Sequence, residues 1–328
     1  MKNFNYLIQK IEEAKILSEP FLHIYIENFF DEDDFQEIIN SSGIKTPKFN
    51  SDSEMFKSLF SLGYKIIDFP GCITSQEEYI EWHKKKDISH LSNTSCESFG
   101  LTLRLIQPGS SILQDLKNFI ESYEFSSTLA KKFDIPLNKV NADNGIQKYL
   151  DGYEISPHPD VRKKALTYMI NINPNNDSEK LTQHTHYLKL KEKYNYVKIF
   201  WEGNPDVERC WVPWDWCDSQ FVQSQNNSLV MFSPNCSTMH AVKANYNHLL
   251  GQRTQLYGNL WFNEVSSLKK LEWESLDLLN KKNHKMEGSK FSSLLDIPTT
   301  VVSKIKQSLL RRDLSNYKKI TRQPDDYK

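Results

Sequence analysis

Hydrophobic positions along this 328-residue chain change their period twice. Near the N-terminus Phe4, Leu7, Ile8 and Ile11 recur at intervals of three and four, which predicts one amphipathic helix. Pro20 then introduces Phe21-Leu22-His23-Ile24-Tyr25-Ile26, an apolar run of strand type. Asp31 stands where it can cap a following helix with Phe35, Ile38 and Ile39 on its buried face. Two more helices are predicted near 76–86 and 110–132. From about residue 99 the texture becomes one of short apolar or alternating runs, at 101–106, 146–150, 165–172, 187–190, 196–201, 228–232, 239–242 and 253–262. Asn, Pro, Gly and Asp clusters separate them, as in an all-β sandwich or barrel. After Phe262 helical spacing returns over 268–279 and 301–310. The expectation is a single domain, 1–328, with an N-terminal elaboration over 1–98, a β-core over 99–263 and a C-terminal helical extension over 264–328.

Charge narrows the classes of partner. The 41 basic and 42 acidic residues leave a formal charge of −1, too little positive field for a nucleic-acid surface. Lys84-Lys85-Lys86 and Arg311-Arg312 read as solvated helix faces. No run of about 18 apolar residues predicts a membrane span, and the polar N-terminus lacks the apolar stretch of a signal peptide. Cys72, Cys96, Cys210, Cys217 and Cys236 are odd in number and show no CxxC spacing. A disulfide framework or a cysteine-held zinc is therefore disfavoured, and a reducing cytoplasmic location is expected.

Of nine histidines, only His158 is followed two residues later by a carboxylate, Asp160. Chance alone supplies about one such pair in a chain of this composition, so the context has to carry the signal. The pair follows a strand and an Asp151-Gly152 turn, where side chains can converge at a barrel mouth. Residues two apart on extended backbone share a face, so both can reach one metal ion. A second histidine would complete the two-histidine, one-carboxylate facial set of non-haem iron sites. His240, in Met239-His240-Ala241-Val242, is the favoured candidate over His184, His186 and His248. His248 is expected in an exposed hairpin loop. A loop centred near 247–248 would pair His240 opposite Gln255 and make Arg253 its diagonal neighbour, about 7–8 Å away. A small dicarboxylate could bridge that gap, because a planar guanidinium accepts a carboxylate bidentately. Gln255, Tyr257 and Gln147 are candidates for the same pocket wall. His184-Thr185-His186 has the spacing of a zinc pair but no partner carboxylate, and the Trp201–Trp216 aromatics read mainly as packing.

The order of these segments resembles the Fe(II)/2-oxoglutarate oxygenases, whose core is a double-stranded β-helix (jelly-roll, cupin-like), and most closely their prolyl-hydroxylase-like branch. The resemblance lies in Gln147-Lys148-Tyr149-Leu150-Asp151-Gly152 through His158-Pro159-Asp160, in Leu166–Asn173, in Ser228–Pro234 through His240-Ala241-Val242, and in Gln252–Phe262. Pro20–Phe30 also resembles the opening segment of many such enzymes. The resemblance implies that His158, Asp160 and His240 bind Fe(II), and that Arg253 receives the distal carboxylate of 2-oxoglutarate. It further implies that Tyr149 and Asn171 contact that co-substrate, with dioxygen as the other. Related halogenases have a small residue in place of the carboxylate, so Asp160 disfavours halogenation. The implied activity is oxidation of a C–H bond, by hydroxylation, desaturation or ring closure, with release of succinate and CO2. The leading expectation for the substrate is a small, amino-acid-like molecule, with a peptidyl hydroxylase and a non-catalytic metal-binding jelly roll as alternatives. A hydrolytic zinc enzyme would have no use for Arg253. One departure is the short link from Asp160 to the strand at Ala165, which leaves little room there for a loop covering a substrate.

Overall fold

Alternating apolar segments need a second layer to cover them, and in the computed structural model they find it in two antiparallel sheets. The structure describes residues 2–85, 95–175, 177–204 and 207–264. The N-terminal part runs α1 (Tyr6–Glu13), β1 (Ile24–Ile26), α2 (Glu32–Asn40), α3 (Asp52–Ser61), β2 (Tyr64–Ile66), α4 (Gln76–Lys85), β3 (Thr102–Leu105), α5 (Ser111–Ile120) and α6 (Tyr123–Lys132). Then follow β4 (Val140–Tyr149), β5 (Glu154–His158), β6 (Lys164–Asn171), β7 (Thr185–Leu190), α7 (Asn195–Gly203), β8 (Cys217–Gln223), β9 (Leu229–Phe232), β10 (His240–Lys243) and β11 (Arg253–Phe262).

The larger sheet has the order β1-β9-β6-β11-β4-β3-β2, and the smaller one β5-β10-β7-β8. From β4 onward the chain passes back and forth between them, which is the winding of a jelly roll. β6 shows why the sheet sits centrally, since all eight of its residues are buried. Leu166, Tyr168 and Ile170 join the main core with the helices, while Met169 faces the other way with Phe21, Tyr187 and Phe232 between the sheets. The helices cover the outer face: Leu7 and Ile11 of α1, Leu113 and Leu116 of α5, and Leu129 of α6 belong to that same core. Truncating one such leucine to alanine costs about 2–5 kcal/mol. The N-terminal segment is therefore built into the β-core.

Several expectations need correction. Residues 196–201, read as a strand, lie in helix α7, and the single helix expected over 110–132 is two, with Ser122 accepting a hydrogen bond from the Phe125 N–H at the start of the second. Helix α3 and strands β2, β5 and β8 were not foreseen. The helices expected over 268–279 and 301–310 lie outside the described residues. The five cysteines form no disulfide. No described helix is long and apolar enough to cross a membrane.

Candidate metal and co-substrate site

His158 ends β5 and His240 begins β10, and the two are paired directly across these antiparallel strands. Strand pairing thus brings together imidazoles far apart in sequence, with ring centroids 4.3 Å apart. Asp160 follows two residues after His158 with φ at 72°, a left-handed conformation that is uncommon outside glycine and collects at functional sites. The strained turn is held from several sides. Thr238 donates from its hydroxyl to the Pro159 carbonyl (2.9 Å). Thr167 donates to Asp160 Oδ2 (2.8 Å) and Lys164 Nζ to Asp160 Oδ1 (2.7 Å).

The proton placement suits metal binding. His158 Nδ1 lies 2.8 Å from the Ser156 carbonyl, and His240 Nδ1 lies 2.9 Å from that of Thr238. A carbonyl only accepts, so both rings carry their proton on Nδ1 and leave the Nε2 lone pair free. Those Nε2 atoms sit 3.5 and 3.8 Å from Asp160 oxygens, and all three ligand atoms lie within 4.8 Å of one another. Ligands about 2.0–2.2 Å from one ion stand about 3–3.6 Å apart at ordinary coordination angles, so the donor set fits a divalent metal. Burial, reinforced by His158, holds His240 down at about 3, so its ring is neutral at neutral pH. Burial alone would push the Asp160 carboxyl up, but the Lys164 ammonium beside it outweighs burial and holds the group well below the usual carboxylate range.

Arg253, the first residue of β11, lies in the other sheet. The hairpin expected between β10 and β11 does not form: β10 pairs with β5 and β7, while β11 pairs with β4 and β6. His240 therefore pairs with His158 and Tyr187, Gln255 with Gln147 and Asn171, and the triad and Arg253 approach each other across the sandwich. Between the sheets is a cavity of about 480 Å³, lined by the triad and by Arg253, Gln255, Tyr257, Asn259 and Trp261. These five are alternate residues of β11 and so share one face. Arg253 is 3% exposed. Its guanidinium packs 4.5 Å from the Tyr149 ring centroid and donates from Nη2 to Thr185 Oγ1 (3.1 Å). No carboxylate of the described residues pairs with it, so most of its five donors are uncommitted. Burial lowers its pKa while four surrounding tyrosines oppose the loss.

Tyr149 lies behind Arg253, and its hydroxyl is 2.6 Å from the Gln147 amide. With that amide turned to satisfy both neighbours, its nitrogen donates to Tyr149 and its oxygen accepts from Arg104 (2.7 Å). Asn171 is placed differently from its expectation. Its amide donates to the carbonyls of Gln223 and Gln225, its oxygen accepts from Gln255, and it does not line the cavity. The polar group beside Arg253 is Thr185, which sequence reading passed over between two more conspicuous histidines. His184 bonds to the Ser178 carbonyl and His186 lies near Ser219 and Trp214, both outside the cavity. His248, expected in an exposed loop, is fully buried.

The short Asp160–Lys164 link carries no cover, but the β7–β8 connection does. Arg162 donates to the carbonyls of Trp201, Asn204 and Val207, Val212 N–H donates to the Pro157 carbonyl, and Arg209 pairs with Glu97. Trp211 of this connection lines the cavity, whereas Trp201, Trp214 and Trp216 are taken up by Arg162, Glu154 and Tyr194.

No family model and no curated protein matches the chain. Solved structures do. A prolyl hydroxylase from Trichoplax adhaerens, in complex with a hypoxia inducible factor oxygen degradation domain peptide fragment, is 12% identical and covers 81% of this chain and 92% of its own, with a TM-score of 0.40. A Pseudomonas putida prolyl-4-hydroxylase is 8% identical, covering 79% of this chain and 98% of its own, with a TM-score of 0.39. An oxidoreductase of the 2OG-Fe(II) oxygenase family from Burkholderia pseudomallei is 9% identical, covering 66% and 93%, with a TM-score of 0.28. The chain is thus similar to solved prolyl hydroxylases and to a 2OG-Fe(II) oxygenase family oxidoreductase.

Proposed function

We propose that this protein is an Fe(II)- and 2-oxoglutarate-dependent oxygenase acting on a small polar molecule. The observation that carries the reading is Arg253, a buried guanidinium without a carboxylate partner among the described residues, lining the same cavity as the His158–Asp160–His240 cluster. An unpaired buried charge costs several kcal/mol, and a ligand carboxylate removes that cost. His158 and His240 would hold the metal through Nε2 and Asp160 through a carboxylate oxygen, leaving adjacent positions open. Arg253 and Thr185 would receive the far carboxylate of 2-oxoglutarate, with the Tyr149 ring backing the guanidinium. The chemistry supplied when these groups are bound is oxidation of a substrate C–H bond, coupled to release of succinate and CO2.

A small substrate is supported by the cover, which is tied to both the Pro157–Arg162 stretch and Glu97. Charges of both signs on the cavity wall, including the Arg104–Asp143 pair (2.7 Å), suit a polar, amino-acid-like molecule better than an apolar one. Succinate release from 2-oxoglutarate under oxygen with Fe(II) is the first measurement. Wild type should turn over, Asp160→Ala should fall to background, and Arg253→Ala should raise the KM for 2-oxoglutarate about 100-fold, the loss of a buried charge-assisted contact. Equal rates in wild type and Asp160→Ala would sink the reading. Stimulation by proline-containing peptides and not by free amino acids would move it to a peptidyl hydroxylase. Metal binding without succinate would leave a non-catalytic jelly roll.

A further inference from the structure

Behind the Arg253 pocket lies a second cluster of titratable groups, drawn from four separate segments. Asp52 opens α3, His83 lies near the end of α4, Asp151 sits in the β4–β5 turn, and His248 in the β10–β11 connection. His83 Nδ1 is 2.8 Å from Asp52 Oδ2, and its Nε2 is 3.2 Å from Asp151 Oδ2. His248 Nε2 is 2.7 Å from Asp52 Oδ1.

A two-histidine, two-carboxylate group invites a metal reading, and proton placement argues against it. The backbone N–H of Asp151 donates to His248 Nδ1 (3.1 Å), so the proton of that ring is on Nε2 and is donated to Asp52. No lone pair is left there for an ion. Each nitrogen of His83 faces a carboxylate oxygen, so both carry protons and the ring is an imidazolium. The cluster is a hydrogen-bonded clamp of two carboxylates, one cationic imidazole and one neutral one.

Its second oxygen gives the clamp a reach. Asp151 Oδ1 accepts from the Tyr246 N–H (3.0 Å). The Tyr246 hydroxyl donates to the Tyr149 carbonyl and accepts from the Arg253 N–H (2.9 Å). His248, in the same connection, also accepts at its carbonyl from the Gln252 side chain (2.7 Å). We infer that His83 is a positioning residue for the co-substrate pocket, fixing Asp151 so that Tyr246 holds the backbones of Tyr149 and Arg253 in register. The mechanical link stands on these contacts alone; its consequence for 2-oxoglutarate rests on the function proposed above.

The clamp has a pH limit. The groups facing His83 are Asp52 from α3, Asp151 from the turn, His248 from the β10–β11 connection, and Tyr79 stacked on it from its own helix (5.6 Å). Burial would lower the pKa of His83, but Asp151 and Asp52 outweigh it and raise the group to about 9. Loss of that proton turns one donor into a lone pair aimed at a carboxylate.

Hydrogen–deuterium exchange of the 244–255 segment, corrected for intrinsic rates, reads the clamp without any ligand. In wild type the segment should stay protected at pH 7 and open above about pH 9. In His83→Gln it should already exchange about tenfold faster at pH 7, with no further step near pH 9. Binding of 2-oxoglutarate in the presence of Mn(II) should weaken in parallel, and Tyr246→Phe should weaken it while leaving the ring titration of His83, followed by NMR, unchanged. Wild-type protection that is flat to pH 10, or identical profiles for wild type and His83→Gln, would overturn the inference. So would a stoichiometric metal that survives Asp160→Ala and is lost with His83→Gln. Should His83→Gln fail to fold, the wild-type profile and Tyr246→Phe decide. Exchange behaving as described in a protein that does not bind 2-oxoglutarate would refute the proposed function and leave the clamp standing.

Discussion

Lys148 of β4 is fully buried, its Nζ donating to the Ile44 carbonyl (2.8 Å) and to Thr254 Oγ1 (2.9 Å), with no carboxylate of the described residues among its contacts. Burial pulls its pKa from 10.5 to about 7. Between those values the unfolded chain binds more protons than the folded one, so this residue makes stability rise with pH across that window. Below about pH 7 its cost to folding is fully present. The stability of Lys148→Met relative to wild type should therefore be most favourable near pH 6 and decline toward pH 10; a difference independent of pH would refute the assignment. His83 has the opposite sign. Its pKa is raised from 6.5, so its contribution is complete below that value and is lost as pH rises through about 9. Single residues also set the limit of sequence reading at the site. The His158-x-Asp160 spacing was visible, but Thr167, Thr185, Thr238 and Lys164, which hold or complete it, lie in strands and loops where such residues are ordinary.

At the scale of elements, the β4–β5 turn governs where Tyr149, Asp151 and His158 point. Gly152 there has φ at +79°, and a Cβ on it would stand 2.1 Å from the Trp82 ring. Gly152→Ala should cost about 2 kcal/mol or more, a fall of about 3 °C or more in Tm by thermal melt; an unchanged Tm would show that the turn can relax. Strands with strong local signals were legible: β6 and β11 stand in the sequence nearly as they fold. The three unforeseen strands, β2, β5 and β8, all lie at sheet edges. An edge strand buries less and tolerates polar residues and proline, as in Glu154-Ile155-Ser156-Pro157-His158, so its pattern is weak. Helix α7 failed for another reason. Tyr196, Ile199 and Phe200 are apolar yet exposed, and a short apolar run does not distinguish helix from strand.

For the whole molecule, metal occupancy should be coupled to stability, because the proposed ligands come from two distant segments, 158–160 and 240, that only the folded chain brings together. At 100 times its Kd a divalent ion adds about 2.7 kcal/mol, or roughly 3–5 °C in Tm for a chain of this size. Mn(II) should raise the Tm of wild type, a chelator should reverse it, and His240→Ala should show neither effect; an equal shift in His240→Ala would place the ion elsewhere. The sequence by itself determined the residue types able to hold iron and a dicarboxylate, and the period of most buried elements, because both are local properties. Only the tertiary structure sets His240, and not His248, beside the His158–Asp160 pair. Strand pairing sets the first opposite His158, while the second is sealed against Asp52 by a proton it cannot give up. It likewise carried Arg253 into the opposite sheet from His240. Pairing between distant strands is decided by which faces can be buried together, and that is a property of the assembled sheets.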